Sequence, residues 1–190
     1  METLHVADVL RYTWDESDAD GRDEADGHDD AERHDDAERH DDAERHSGAE
    51  RHGEAGAPLT DGAVVVGRDR IVAVGTYEEL RVRFPAARVR RWAGALGPGR
   101  VHVGPLPDAP SPRERIHAVL KRGAVAVLDA DVREDPALRA AAARVGVLVL
   151  PAAGHPAITG PGARADLAVF DADGRCLATV CAGRLVHRRA

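Results

Sequence analysis

Between Trp14 and Leu59 the chain has no large apolar residue, and this gap constrains everything that can fold on either side of it. A segment with nothing to bury cannot offset its conformational entropy. Residues 15–58 are therefore expected to be a disordered acidic insert in a surface loop. Inside it the sequence repeats every six residues as His-Asp-Asp-Ala-Glu-Arg, starting at His28, His34 and His40, with a degraded copy running from His46 to His52. Six residues turn a helix by about 600°, so the histidines would spiral around such a helix and line no single face.

The insert also dominates the charge. The chain carries 26 Lys+Arg and 33 Asp+Glu, for a formal net charge of −7. Residues 15–58 hold 18 acidic and 5 basic residues, a net of −13, which leaves the remainder at +6. Its basic residues are scattered arginines without an aromatic platform, so nucleic-acid binding is not expected. No window approaches the roughly 18 apolar residues of a membrane helix, and residues 1–14 lack the apolar run of a secretory signal. The expectation is a cytoplasmic protein with no membrane partner. Cys176 and Cys181 are an odd number apart on one expected strand, so they should face opposite ways and form neither a disulfide nor a zinc knuckle.

The rest of the chain reads as short elements. Residues 4–10 form a first strand, and residues 63–66 and 71–74 form a hairpin around the polar turn at 67–70. Thr76 and Glu79 make a capping box that opens a short helix stopped by Pro85, and residues 88–92 return as a strand. Residues 94–110, rich in glycine and proline, read as a loop or domain junction. Ser111, Pro112 and Glu114 start a helix that Gly123 ends, residues 124–128 form a buried strand, Asp135 and Pro136 open a second helix capped by Gly146, and residues 147–150 form another apolar strand. Together these make one βαβ unit. Residues 166–170, 176–181 and 185–187 are antiparallel strands separated by turns at 173–174 and 182–183.

Two stretches carry a family resemblance. GRDRIVAVGTYEELRVRFPAARVRRWAGALGPG, beginning at Gly67, and GPGARADLAVFDADGRCLATVCAGRLVHRR, beginning at Gly160, resemble the two halves of the composite β-domain of amidohydrolases, in the imidazolonepropionase and aminodeoxyfutalosine deaminase branch. The resemblance covers roughly residues 59–104 and 158–189. It implies a mixed α+β fold, with a small β-sandwich-like domain assembled from both chain ends around an inserted βαβ piece. The implied organisation is a first strand at 1–14, the insert at 15–58, the first part of the composite domain at 59–104, a truncated α/β piece at 105–157 and the second part of the composite domain at 158–190.

In that family a Pro-Gly turn leads to a His-x-His pair that binds zinc, and a large barrel follows. Here Pro98-Gly99 is followed by Arg100-Val101-His102-Val103-Gly104, with one histidine and no second one two residues away. A catalytic zinc needs about three converging protein ligands. A (β/α)₈ barrel takes on the order of 200 residues or more, whereas residues 101–156 are all that separate the two halves. No catalytic residue, cofactor or zinc is therefore expected. The weak metal candidates are His102 and the repeat histidines His28, His34, His40, His46 and His52, which could gather a divalent ion without preorganisation.

The remaining titratable residues have ordinary structural explanations. Asp129 and Asp131 end a strand where turn formers are common, Lys121 sits in the last turn of a helix, His117 lies on a helix face and His155 precedes a proline. Ser17, Ser47 and Ser111, the only serines, offer no setting for a nucleophile. Two functional classes follow. The family activity is hydrolysis of carbon–nitrogen bonds other than peptides. The residues favour a non-catalytic remnant that binds a ligand or a partner, a second copy or a full-length homologue, with weak metal binding by the repeat as a further alternative.

Overall fold

The computed structural model describes residues 1–14, 56–154 and 156–189. Elements in chain order are β1 (Glu2–Leu10), β2 (Leu59–Thr60), β3 (Gly62–Gly67), β4 (Arg70–Thr76), α1 (Tyr77–Arg83), β5 (Arg88–Pro98), β6 (Arg100–His102), α2 (Pro112–Lys121), β7 (Ala124–Leu128), α3 (Asp129–Val132), α4 (Pro136–Val145), β8 (Leu148–Leu150), β9 (Leu167–Phe170), β10 (Cys176–Cys181) and β11 (Arg184–Arg188). The mixed α+β class is as expected. No helix among the described residues is long and apolar enough to cross a membrane.

Eight strands form one sheet in the order β11-β10-β9-β5-β1-β3-β4, with β2 paired to the end of β1. The first strand is thus central, antiparallel to β3 on one side and parallel to β5 on the other. Both chain ends contribute, as a composite domain requires. The sheet curls until its two ends meet. Ala165 donates its N–H to the Asp69 carbonyl at 2.8 Å, Gly183 donates to the Ala165 carbonyl at 2.8 Å, and Arg70 bridges to Arg164. The approach is tight enough that a Cβ on Gly183, whose φ is +73°, would lie 1.7 Å from the Arg68 carbonyl oxygen, so only glycine fits.

Inside the curl Ala7, Leu10, Val64, Leu96, Leu167, Val169 and Val180 form one apolar core. On the outer face Leu4, Val6, Val65 and Ala73 are covered by Leu80 of α1. That helix begins as its sequence predicts. Thr76 accepts from the Glu79 N–H while the Glu79 carboxylate accepts from the Thr76 N–H, which satisfies two of the orphan donors at the helix start.

A second sheet, β6-β7-β8, is entirely parallel. α2 and α4 cover one of its faces, burying Ile116, Val119, Leu138 and Ala142 against Val125, Val127 and Val147. Thr179 of β10, fully buried, donates its hydroxyl to the Leu120 carbonyl at 2.7 Å and ties this layer to the larger sheet.

Three features differ from the sequence reading. β5 continues to Pro98, and β6 follows after a single residue, so the first part of the expected loop at 94–110 is strand; Gly97 is retained because a Cβ there would strike the Trp14 ring at 2.4 Å. β6 also makes the α/β piece two successive βαβ units and not one. A register shift between Cys176 and Ala178 turns Cys176 toward Thr179, whose hydroxyl lies 3.4 Å from the Cys176 sulfur. Thr179 and Cys181 are two residues apart and share a face, so the two cysteines do not face opposite ways. Both thiols are free and buried, and burial raises the pKa of each, Cys181 to about 11.

One titratable residue is buried in the central strand. His5 is 2 % exposed and its Nδ1 accepts from Trp92 Nε1 at 3.2 Å. A ring nitrogen that accepts cannot carry a proton, so the pairing holds the neutral form. Burial, and then the charge of Arg90, lower the His5 pKa from 6.5 to about 4. As pH falls below 6.5 the unfolded chain protonates at this residue first, so stability present above that pH is lost on the way to about 4. At pH 4.5 the loss is about 2–3 kcal/mol relative to pH 7.5. Urea unfolding of the wild type and His5→Leu at both pH values should show the wild type losing that much more than the variant; equal losses would refute the assignment.

Candidate functional site

The two faces of the parallel sheet differ. Register aligns Val101 with Ala126 and Leu148, and Leu128 with Leu150. It aligns His102 with Val127 and Val149 on the opposite face, the one that packs against the helices. The first face is the open one. A cavity of about 370 Å³ lies against Val101, Ala126, Leu148 and Leu150, closed at its rim by Pro98, Gly99 and the Arg164–Asp166 region. Leu148 is 40 % exposed there.

Asp166 organises that rim. One of its carboxylate oxygens accepts the Ala182 N–H at 2.7 Å, the other lies 3.3 Å from the Arg164 guanidinium, and its backbone carbonyl accepts the Gly99 N–H at 2.9 Å. Burial raises its pKa, opposed by the hydrogen bond from Ala182 and the charge of Arg164. Arg164 also donates to the Gly146 carbonyl at the end of α4. Gly99 belongs here for a steric reason, since a Cβ would lie 2.4 Å from the Val125 side chain. Chemically this is a salt-bridged, hydrogen-bonded node with no free acid or base directed at the cavity.

His102 does not join it. The ring lies on the helix-facing side of β6, and its Nε2 is 3.1 Å from the Pro105 carbonyl oxygen. His28, His34, His40, His46, His52 and His155, together with the expected disorder of the insert, lie outside the described residues. Asp129 pairs with Arg139, and Asp131 follows on α3 with one carboxylate oxygen buried and without a hydrogen-bond partner. Lys121 ends α2, and His117 is exposed on the same helix. No three His, Cys, Asp or Glu side chains among the described residues converge as metal ligands. The zinc that the amidohydrolase resemblance implies needs about three, and the donors present here do not fit it.

Sequence reasoning missed Arg164 and Asp166 as a working pair. Their signal was the stretch Pro161–Leu167 itself, legible as a family signature but silent about which atoms it would join. Asp166→Ala leaves the Ala182 N–H without its acceptor and the Arg164 guanidinium without its carboxylate, and should cost about 1–3 kcal/mol. Thermal unfolding should show the loss, with partial recovery in Asp166→Asn; an unchanged midpoint would remove the node from this account.

Residues 62–87 match the family described as an imidazolonepropionase-like composite domain of bacteria. Among solved structures the chain is similar to guanine deaminase of E. coli, with 13 % identity, 78 % of this chain and 35 % of that chain covered, and a TM-score of 0.43. It is similar also to aminofutalosine deaminase of Helicobacter pylori, with 15 % identity, 67 % and 27 % coverage and a TM-score of 0.38. A third is the atrazine chlorohydrolase of Arthrobacter aurescens, with 17 % identity, 77 % and 34 % coverage and a TM-score of 0.40. The chain spans about a third or less of the length of each. No curated protein matches it. The hairpin of β3 and β4 and the capped helix α1 lie within the matched residues, and it is this stretch of the chain that is similar to an imidazolonepropionase-like composite domain.

Proposed function

We propose that this chain is a non-catalytic amidohydrolase-like module that pairs with a second copy of itself through the open face of the β6-β7-β8 sheet. The observation that carries the reading is the orientation of β6. Its one histidine is turned to the helix-packed side, while the opposite face presents Val101, Leu128, Leu148 and Leu150 and no ionisable side chain from the three strands. Parallel sheets are normally covered on both faces. A face that is apolar throughout is complementary to a copy of itself across a two-fold axis, the commonest symmetry of soluble oligomers. The edge of β8 away from β7 has no strand partner among the described residues, so strand pairing could extend the contact.

The competing reading is the family activity, hydrolysis of a non-peptide carbon–nitrogen bond on a substrate such as the guanine of the similar deaminase. It requires a metal or a general base at the open face, and the described residues there supply neither. Sedimentation velocity should give a dimer for the wild type and a monomer for Leu148→Lys, which places a charge on the exposed edge strand of the face. A monomeric wild type, or a Leu148→Lys variant that remains dimeric, would overturn the pairing. Stoichiometric zinc in untagged protein together with ammonia release from guanine would overturn the non-catalytic assignment. Zinc that disappears on deletion of residues 28–52 would instead belong to the histidine repeat.

A further inference from the structure

β9 pairs with β5 only from Ala95 to Pro98, so residues 88–93 of β5 have β1 on one edge and no strand on the other among the described residues. Strand alternation puts Arg88, Arg90 and Trp92 on one face of that unpaired stretch. It is the face of His5, which lies opposite Arg90 in the register. From β11, at the far end of the sheet, Arg188 brings its guanidinium to 5.8 Å from the centre of a Trp92 ring. The indole is itself fixed by its hydrogen bond to the buried His5, against which it stacks with an interplanar angle of 9°. Three arginines and an ordered indole thus share one stretch of surface.

None of the three arginines makes an ion pair with a carboxylate among the described residues. Arg90 is the half-buried one of the three, and Arg88 and Arg188 are exposed. Burial first, and then the charges of Arg88 and Arg188, lower the Arg90 pKa, a direction that follows from like charges gathered without a counter-ion. His5 is held neutral by Trp92 and adds no further positive charge. By contrast Arg91, the neighbour on the opposite face, lies 4.2 Å over the Tyr77 ring, and Arg164, Arg139 and Arg175 each have a carboxylate.

We infer that the cluster of Arg88, Arg90 and Arg188 beside Trp92 binds a small multivalent oxyanion of the phosphate or polyphosphate class. Guanidinium groups suit this ligand because each presents a fork of donors that matches two phosphate oxygens. The ligand is small because it must reach the half-buried Arg90 between two exposed arginines. Charged side chains on an exposed strand edge also guard against edge-to-edge aggregation, but guarding needs only repulsion and predicts no saturable site. The inference is independent of the proposed dimer face, which lies on the other sheet.

Calorimetric titration of the full chain with pyrophosphate, repeated with inorganic phosphate, tests it. Saturable binding of one pyrophosphate per chain is expected, weakened roughly tenfold or more in Arg90→Gln and in Arg188→Gln, and unchanged in Arg81→Gln on the exposed side of α1. Circular dichroism verifies that each variant is folded, and Arg188→Gln, which alters an exposed residue, keeps the test valid if Arg90→Gln is not. Tighter binding of pyrophosphate than of phosphate supports a multivalent ligand. Absence of saturable binding, or binding that Arg81→Gln reduces as much as Arg188→Gln does, would overturn the inference.

Discussion

The constraint on which the rest depends is the passage of the chain from one sheet into the other at Pro98 and Gly99. β5 ends in the curled sheet and β6 begins in the parallel one after a single residue, so the two layers cannot be placed independently. Two contacts fix the crossing. Gly99 passes against Val125 where no Cβ fits, and its N–H is held by the Asp166 carbonyl. Asp166 carries this constraint onward through Ala182 into the last hairpin and through Arg164 to the end of α4. One aspartate thereby joins the C-terminal strands, the junction and a helix. A buried carboxylate that has lost water needs such partners, and here each partner is also a structural joint.

From this geometry follows the character of the open face. With β6 entering straight from β5 and shifted in register beside β7, Val101 falls on the cavity side and His102 on the helix side. The strand orientation that lets the two layers fit together also keeps the histidine away from the cavity. An apolar cavity bordered by the Arg164–Asp166 salt bridge is suited to covering by another apolar surface, whereas hydrolysis would require a free base or a metal. The similarity of residues 62–87 to a composite domain and the reading of this chain as a binding module are thus compatible, since fold and chemistry are separable.

The sequence was legible wherever local chemistry decides the outcome. Capping at Thr76 and Ser111, the left-handed cap at Gly146 and the β-branched runs of β3, β4 and β7 each act within a few residues, and each appears where it was expected. The junction was not legible. Three glycines and a proline between 94 and 99 read as a loop by composition, but Gly97 and Gly99 are there to admit Trp14 and Val125, residues far away in the chain. Periodicity likewise misplaced Cys176, because the bulge that rotates it arises from pairing with β9. Of the candidate site, the stretch Pro161–Leu167 was visible as a pattern, while the pairing of Asp166 with Ala182 and Arg164 was not.

By itself, then, the sequence determined the class of the fold, the capped helix starts, the β-branched strands and the lack of a His-x-His pair after Pro98-Gly99, since these depend on residue type and near-neighbour spacing. Tertiary structure alone decided that β1 is central, that the sheet curls until Arg68 meets Gly183, that His102 faces the helices, and that Arg188 reaches Trp92 beside Arg90. Such contacts join residues more than a hundred positions apart. Their partners are selected by strand order and register, which no local pattern encodes.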